Sequence, residues 1–285
     1  EELRFAGANL TATFSGVELN AKTIVLTETV SGISNLIINT FVNETNNFNG
    51  ITASTFTSGS DVITINGETG NETITGPNVA STLLGGTGDD IITGGSAADT
   101  IDGGDGADSL TGGSGNDVYL FDTGDVDSGE SITEASSGGT DAVAIVTTTD
   151  FVNMPAASFN EIEEIRFAGA NQTGTFTGAQ LTGETLSLTE TASGTSNLII
   201  NVASGTTATF ANMTAGTFTS GSDTITINGT TGNETITGPN VASTINGGTG
   251  DDIIIGGSAI DTVKYSSASS LSLIHISEPT RRYAI

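Results

Sequence analysis

The chain has 285 residues, 39 of them glycine and none cysteine, and its 33 acidic residues against 6 basic ones give a formal charge of −27. That balance argues against nucleic acid and other polyanions as partners and favours cations, while the missing cysteines exclude a disulfide scaffold and thiolate chemistry. No apolar run approaches the roughly 20 residues of a membrane helix, so no membrane insertion is expected, and no charged-then-apolar leader opens the chain, whose two ends both look cut.

Residues 1–66 carry short runs in which aliphatic residues alternate with threonine and asparagine: TIVLTET at 23–29, SNLIINT at 34–40 and DVITIN at 61–66. Period-two alternation marks strands and separates this chain from a disordered acidic tail. These runs are expected to form solenoid coils with stacked aliphatic residues inside; a separate antiparallel sandwich is the alternative.

From residue 67 a period of nine takes over. Two loose copies, GETGNETIT from Gly67 and GPNVASTLL from Gly76, lead into GGTGDDIIT, GGSAADTID, GGDGADSLT and GGSGNDVYL from Gly85, so aspartate recurs at Asp90, Asp99, Asp108 and Asp117. Residues 121–162 hold the acidic stretch DTGDVDSGE followed by DAVAIV and FVNM, and are expected to cap one array and connect to the next.

A longer repeat then becomes visible. EELRFAGAN at residue 1 returns as EEIRFAGAN at 163, SGISNLIIN at 31 returns as SGTSNLIIN at 193, and GETGNETITGPNVAST at 67 returns as GTTGNETITGPNVAST at 229. Residues 163–228 therefore repeat the first coils, and residues 229–264 repeat the array through GGTGDDIII and GGSAIDTVK, placing Asp252 and Asp261. Self-similarity at fixed periods is the signature of stacked repeat architecture, here expected as part of a longer tandem array.

Residues 265–285 form a truncated end. The string LSLIHISEPTRRYAI at 271–285 contains the only histidine and resembles a translated sequencing adapter, so it is set apart from fold reasoning. What remains has four basic residues, Arg4, Lys22, Arg166 and Lys264.

The nine-residue spacing has a chemical reading. Glycines at positions one, two and four of each copy permit tight turns with positive φ. They are Gly85, Gly86 and Gly88; Gly94 and Gly95; Gly103, Gly104 and Gly106; Gly112, Gly113 and Gly115; and Gly247, Gly248 and Gly250. Six turn residues then precede a three-residue strand whose middle residue, such as Ile92, Ile101 or Leu110, points inward. Two nonapeptides close one flattened coil of eighteen residues, and coils stack at about 4.8 Å. Asp90 should then meet Asp108 on one edge and Asp99 should meet Asp117 on the other, with glycine-turn carbonyls facing the same gaps. An all-oxygen cage suits Ca²⁺, which accepts 6–8 oxygens in irregular geometry, better than magnesium or zinc.

These residues resemble the repeats-in-toxin family, also called hemolysin-type calcium-binding repeats, whose motif is GGxGxDxUx. The resemblance implies an all-β, right-handed parallel β-roll or β-solenoid that folds when a secreted chain meets extracellular calcium, commonly after type I export. It puts the metal ligands at Asp90, Asp99, Asp108, Asp117, Asp252 and Asp261 with the glycines of those turns. Ala97 and Ala259 replace the fourth-position glycine, Glu72 and Glu234 stand where aspartate is usual, and Ser81 and Ser243 offer no carboxylate. Edge sites involving those turns are expected to be weaker or empty.

The function expected is structural: a secreted or cell-surface segment of adhesin-stalk or surface-layer type, with cell-surface glycans or further copies of the parent protein as possible partners besides calcium. The alternative is the calcium module of an exoenzyme or toxin whose active part lies outside this sequence. A flat ligand-binding face built on Thr73 and Thr75, and glycans at Asn43, Asn71 and Asn233, are lesser readings. No catalysis is expected, because the paired acids are explained by calcium and no histidine or cysteine supplies another mechanism outside the tail.

Overall fold

The computed structural model describes residues 1–56, 61–134, 138–218 and 222–264; the whole of 265–285, including the adapter-like string, lies outside the described residues. The chain divides into two compact units, Glu1–Ala144 with Asn153–Glu161, and Ile145–Val152 with the residues from Ile162 onward.

The first unit is a parallel β-solenoid whose coils change cross-section along the chain. Its opening coils have three faces. The first face stacks Glu2–Phe5, Ile24–Glu28 and Ile51–Ala53, and the second begins with Thr11–Ser15, Asn35–Asn39 and Val62–Asn66. The third face begins with Thr45–Asn47 and Thr73–Thr75. All these pairs are parallel, in registers such as Thr11↔Asn35, Asn35↔Val62 and Thr45↔Thr73, which rules out the antiparallel sandwich. Stacked residues lie 23–29 positions apart, far more than an eighteen-residue coil.

The wide coils are wide because their strands fill a broad interior. Phe5, Leu26, Leu36, Ile38, Phe48, Ile51, Phe56, Ile63 and Ile65 are all buried. At about 1.5–3 kcal/mol per fully buried large side chain, this is an ordinary apolar core. On the second face Asn66 Nδ2 donates to Asn39 Oδ1 at 2.8 Å, an asparagine rung between successive coils. A one-turn helix, Gly16–Leu19, makes the corner after the first second-face strand, held by a reciprocal Ser15–Glu18 capping box.

After Ile51–Ala53 the first face stops, and the coil closes on two faces where the glycine nonapeptides begin. The second face continues through Thr82–Thr87, Thr100–Asp105 and Val118–Phe121, and the third through Ile91–Gly95, Ser109–Gly113 and Ser131–Thr133. Registers such as Ile92↔Leu110 and Ile101↔Leu83 now step by eighteen. Most strands contribute one fully buried side chain, namely Ile74, Leu83, Ile92, Ile101 and Leu110, while Val118–Phe121 buries both Tyr119 and Phe121. Strands Thr82–Thr87 to Ser109–Gly113 are longer than the three residues expected, whereas Thr235–Thr237, Thr244–Asn246, Ile253–Ile255 and Thr262–Lys264 of the second array keep to three. The longer strands run on through the following glycines, because Gly95 pairs with Gly113 and Gly104 with Gly86 in the same parallel ladders. Glycine lacks the side chain that would stop the backbones approaching.

The second unit repeats the plan. Its first face stacks Glu164–Phe167, Ser187–Glu190 and Thr214–Ala215; its second includes Thr173–Thr177, Asn197–Asn201, Thr224–Asn228, Thr244–Asn246 and Thr262–Lys264; its third stacks Thr207–Thr209, Thr235–Thr237 and Ile253–Ile255. The corner helix recurs as Gly178–Leu181 with a Thr177–Gln180 capping box.

Candidate metal centre

The sixth residue of every nonapeptide sits at the start of a strand, where its side chain turns back under the turn and into the coil edge. Asp90, Asp99, Asp108 and Asp117 are all at most 2% exposed. Each uses Oδ1 to accept a backbone N–H from the coil before. Asp108 takes the Asp90 N–H at 2.8 Å, Asp117 takes the Asp99 N–H at 2.7 Å, Asp90 takes the Glu72 N–H at 2.7 Å, and Asp99 takes both the N–H and the hydroxyl of Ser81 at 2.8 Å. The two edges expected from the spacing are therefore present: Asp90 lies beside Asp108, and Asp99 beside Asp117.

The columns extend past the motif at both ends. Glu72 Oε1 takes the Asn43 N–H at 2.6 Å, reaching into the wide coils. Glu130 Oε2 takes the Asp108 N–H and Asp141 Oδ1 takes the Asp117 N–H, each at 2.8 Å. In the second unit Asp252 bonds to the Glu234 N–H at 2.9 Å and Asp261 to the Ser243 N–H at 3.0 Å. Asp252 and Asp261 stand on opposite edges, and their eighteen-residue successors would fall at 270 and 279, outside the described residues.

A second set of clasps runs the other way. The fifth-position side chains Asn71, Asp89 and Asn233 accept from Asp89, Ala107 and Asp251 N–H groups one coil further on, at 3.0–3.1 Å. These groups are exposed and satisfied. The sixth position is different: Oδ2 of Asp90, Asp99, Asp108 and Asp117, with one carboxylate oxygen each of Glu72, Glu130 and Glu234, is buried without a hydrogen-bond partner. A buried carboxylate oxygen without a donor is expensive unless a cation meets it.

The glycines divide into two roles, which corrects the single role expected. Second- and fourth-position glycines take the left-handed turn, as at Gly104 with φ 88° and Gly106 with φ 143°, and likewise Gly86, Gly88, Gly113, Gly115, Gly248 and Gly250. First-position glycines do not: Gly85, Gly94, Gly103, Gly112 and Gly247 are outside the left-handed region. What they supply is room, since a Cβ on Gly103 would collide with Asp108 Oδ2 and one on Gly94 would lie 2.8 Å from Asp99 Oδ2. Gly95, in the turn where Ala97 replaces glycine, also lacks positive φ. The alanine turn thus adopts a different backbone as a whole.

Electrostatics point the same way. Burial pushes Asp90 up to about 7, with the charges of Asp108 and Glu72 adding and the Glu72 N–H bond opposing. Burial likewise raises Asp99, Asp108 and Asp117 to about 6 and Glu130 to about 9. Between Lys22 and Arg166 the sequence has no basic residue to neutralise them. Two carboxylates about 5 Å apart repel by about 3 kcal/mol at an effective dielectric of 20. The donor set is oxygen only, so the residues present fit a hard divalent ion, and calcium before zinc.

Glu130 and Asp141 were not foreseen as column members, because the connector shifts them 22 and 24 residues from their partners. The segment Gly138-Gly139-Thr140-Asp141 carries a faint signal, reading as a shortened copy of the turn.

Comparison with known proteins yields one family: the RTX calcium-binding nonapeptide repeat, in four copies, at residues 83–119 and 228–263. No curated protein and no solved structure matches the chain. The matched residues include Asp90, Asp99, Asp108, Asp117, Asp252 and Asp261 of the carboxylate columns, and the cation these repeats bind is calcium.

Proposed function

We propose that this chain, a hemolysin-type calcium-binding repeat protein, acts as a calcium-wound structural segment of a secreted or cell-surface protein, of adhesin-stalk or surface-layer type, with no chemistry of its own. One observation carries the reading. Asp90, Asp99, Asp108 and Asp117 each commit one oxygen to the neighbouring coil and leave the other buried without a protein donor. Asp90, Asp99, Asp108 and Asp117 with their glycine turns would hold the ions, and a bound Ca²⁺ supplies positive charge that turns repulsion between coils into cohesion. Without it, the same carboxylates oppose winding.

A device of this kind responds to the high calcium outside cells, which supports an extracellular placement. The closely placed acids are accounted for by cation binding, which supports a structural rather than catalytic role. Circular dichroism during a calcium titration of the chelator-treated chain tests the reading: β signal should rise cooperatively with calcium and far less with magnesium. A chain whose β content is the same in chelator and in calcium overturns it.

A further inference from the structure

We propose that Asp117, Glu134 and Asp141 form an additional calcium site at the C-terminal rim of the first array, with two of its three carboxylates supplied by residues outside the nonapeptides. This deepens the calcium reading above and rests on it.

Carboxylate oxygens of the three residues lie within 4.8 Å of one another. Asp117 is fully buried; its Oδ1 is engaged by the Asp99 N–H, and its Oδ2 has no hydrogen-bond partner. Asp141 is fixed from the other side, because its Oδ1 accepts the Asp117 N–H at 2.8 Å. Glu134 is held by two donors to Oε1, the Tyr119 hydroxyl and the Gly112 N–H, the latter at 3.1 Å. Space is reserved as in the array turns: a Cβ on Gly112 would collide with both Glu134 Oε1 and Asp117 Oδ2.

An edge site within the array brings two acidic side chains together, whereas this one brings three. Calcium affinity rises with the charge count and rigidity of the ligands, so the rim site should fill first and hold the last coil of the array. The connector then does more than cover the roll: it supplies the ligands that finish it.

Terbium, which takes the same oxygen ligands, reports on the site because Tyr119, the only tyrosine among the described residues, bonds directly to Glu134. Titrating the full chain carrying Tyr265→Phe and Tyr283→Phe, which removes the two other tyrosines of the sequence, with Tb³⁺ should give tyrosine-sensitised emission that calcium displaces. Glu134→Gln should weaken the midpoint of that emission by on the order of tenfold or more, while the calcium-induced β signal of the arrays persists. Tyr119→Phe should abolish the emission and leave calcium stoichiometry by calorimetry unchanged. Emission that survives Tyr119→Phe, or a Glu134→Gln titration identical to the parent with the β signal retained, overturns this site alone. Loss of any calcium-induced β signal in the parent chain would instead sink the array reading.

Discussion

The wide coils of residues 1–66 and the narrow coils of residues 67–120 solve the same problem with opposite means. In the wide coils several apolar side chains per turn, among them Phe48 and Leu26, fill the interior, and a fully buried phenylalanine does what no ion is needed to do. In the narrow coils the strands from Thr73–Thr75 to Ser109–Gly113 each bury a single large aliphatic side chain, and the edges are lined with carboxylates. A coil of eighteen residues closed by glycine has too little apolar area to outweigh the ordering of its backbone, which costs about 1–2 kcal/mol per residue. The difference teaches that calcium dependence belongs to one cross-section of the solenoid and not to the fold as a whole.

The strongest way to break that contrast is to remove the ion. Amide hydrogen exchange on the full chain in chelator should show strands Thr82–Thr87 to Ser109–Gly113 exchanging at unfolded rates, while Ile24–Glu28 and Asn35–Asn39 stay protected. Equal protection of both regions in chelator, or equal loss, would erase the distinction between the two cross-sections.

A cavity in the wide coils sharpens it from the other side. Phe48→Ala should destabilise the first coils by about 3–5 kcal/mol in denaturant melts, whether calcium is present or not. A destabilisation that calcium reverses would mean the wide coils lean on the array.

The smallest effect is one of pH, and its sign follows from the raised pKa values. In the metal-free chain the array aspartates bind protons more tightly when folded, with pKa of about 6 to about 7 against an ordinary value near 3.8. Their contribution to metal-free stability is therefore full below about pH 4 and is lost as pH rises through about 6–7. Acidifying from pH 8 to 5 in chelator should raise the β signal, and the same change in calcium should weaken the calcium midpoint, because protons compete for the same oxygens. A metal-free chain that loses structure on mild acidification would contradict the assignment.

Much of this was legible in the residues, and where it was not the reason is physical. The strands at 24–28, 35–39 and 62–66 fall on the alternating runs that announce them, since one face of each is buried. The nonapeptide phase placed Asp90 beside Asp108 because eighteen residues make one coil. Two strands of the wide coils were hidden, one on the third face and one on the first. Thr45–Asn47 and Ile51–Ala53 are three residues each in an asparagine-rich stretch, too short for alternation to register. The Ser15–Glu18 capping box was in plain view, but four helical residues carry no periodicity. Glu134 was illegible for a different reason: its place depends on how the connector folds back, not on any spacing within the motif.

The backward clasps of the array all span the same interval. The carboxylates of Asp90, Asp99, Asp108 and Asp117 each reach a backbone N–H eighteen positions earlier. Deleting or duplicating one such interval leaves every surviving clasp with its mate, whereas the wide coils, with intervals of 23 to 29, offer no interchangeable cut. The array is thus a ruler with uniform gradations, lengthened in steps of about 4.8 Å per coil. Its extent can drift by whole coils through gene duplication without any compensating change elsewhere.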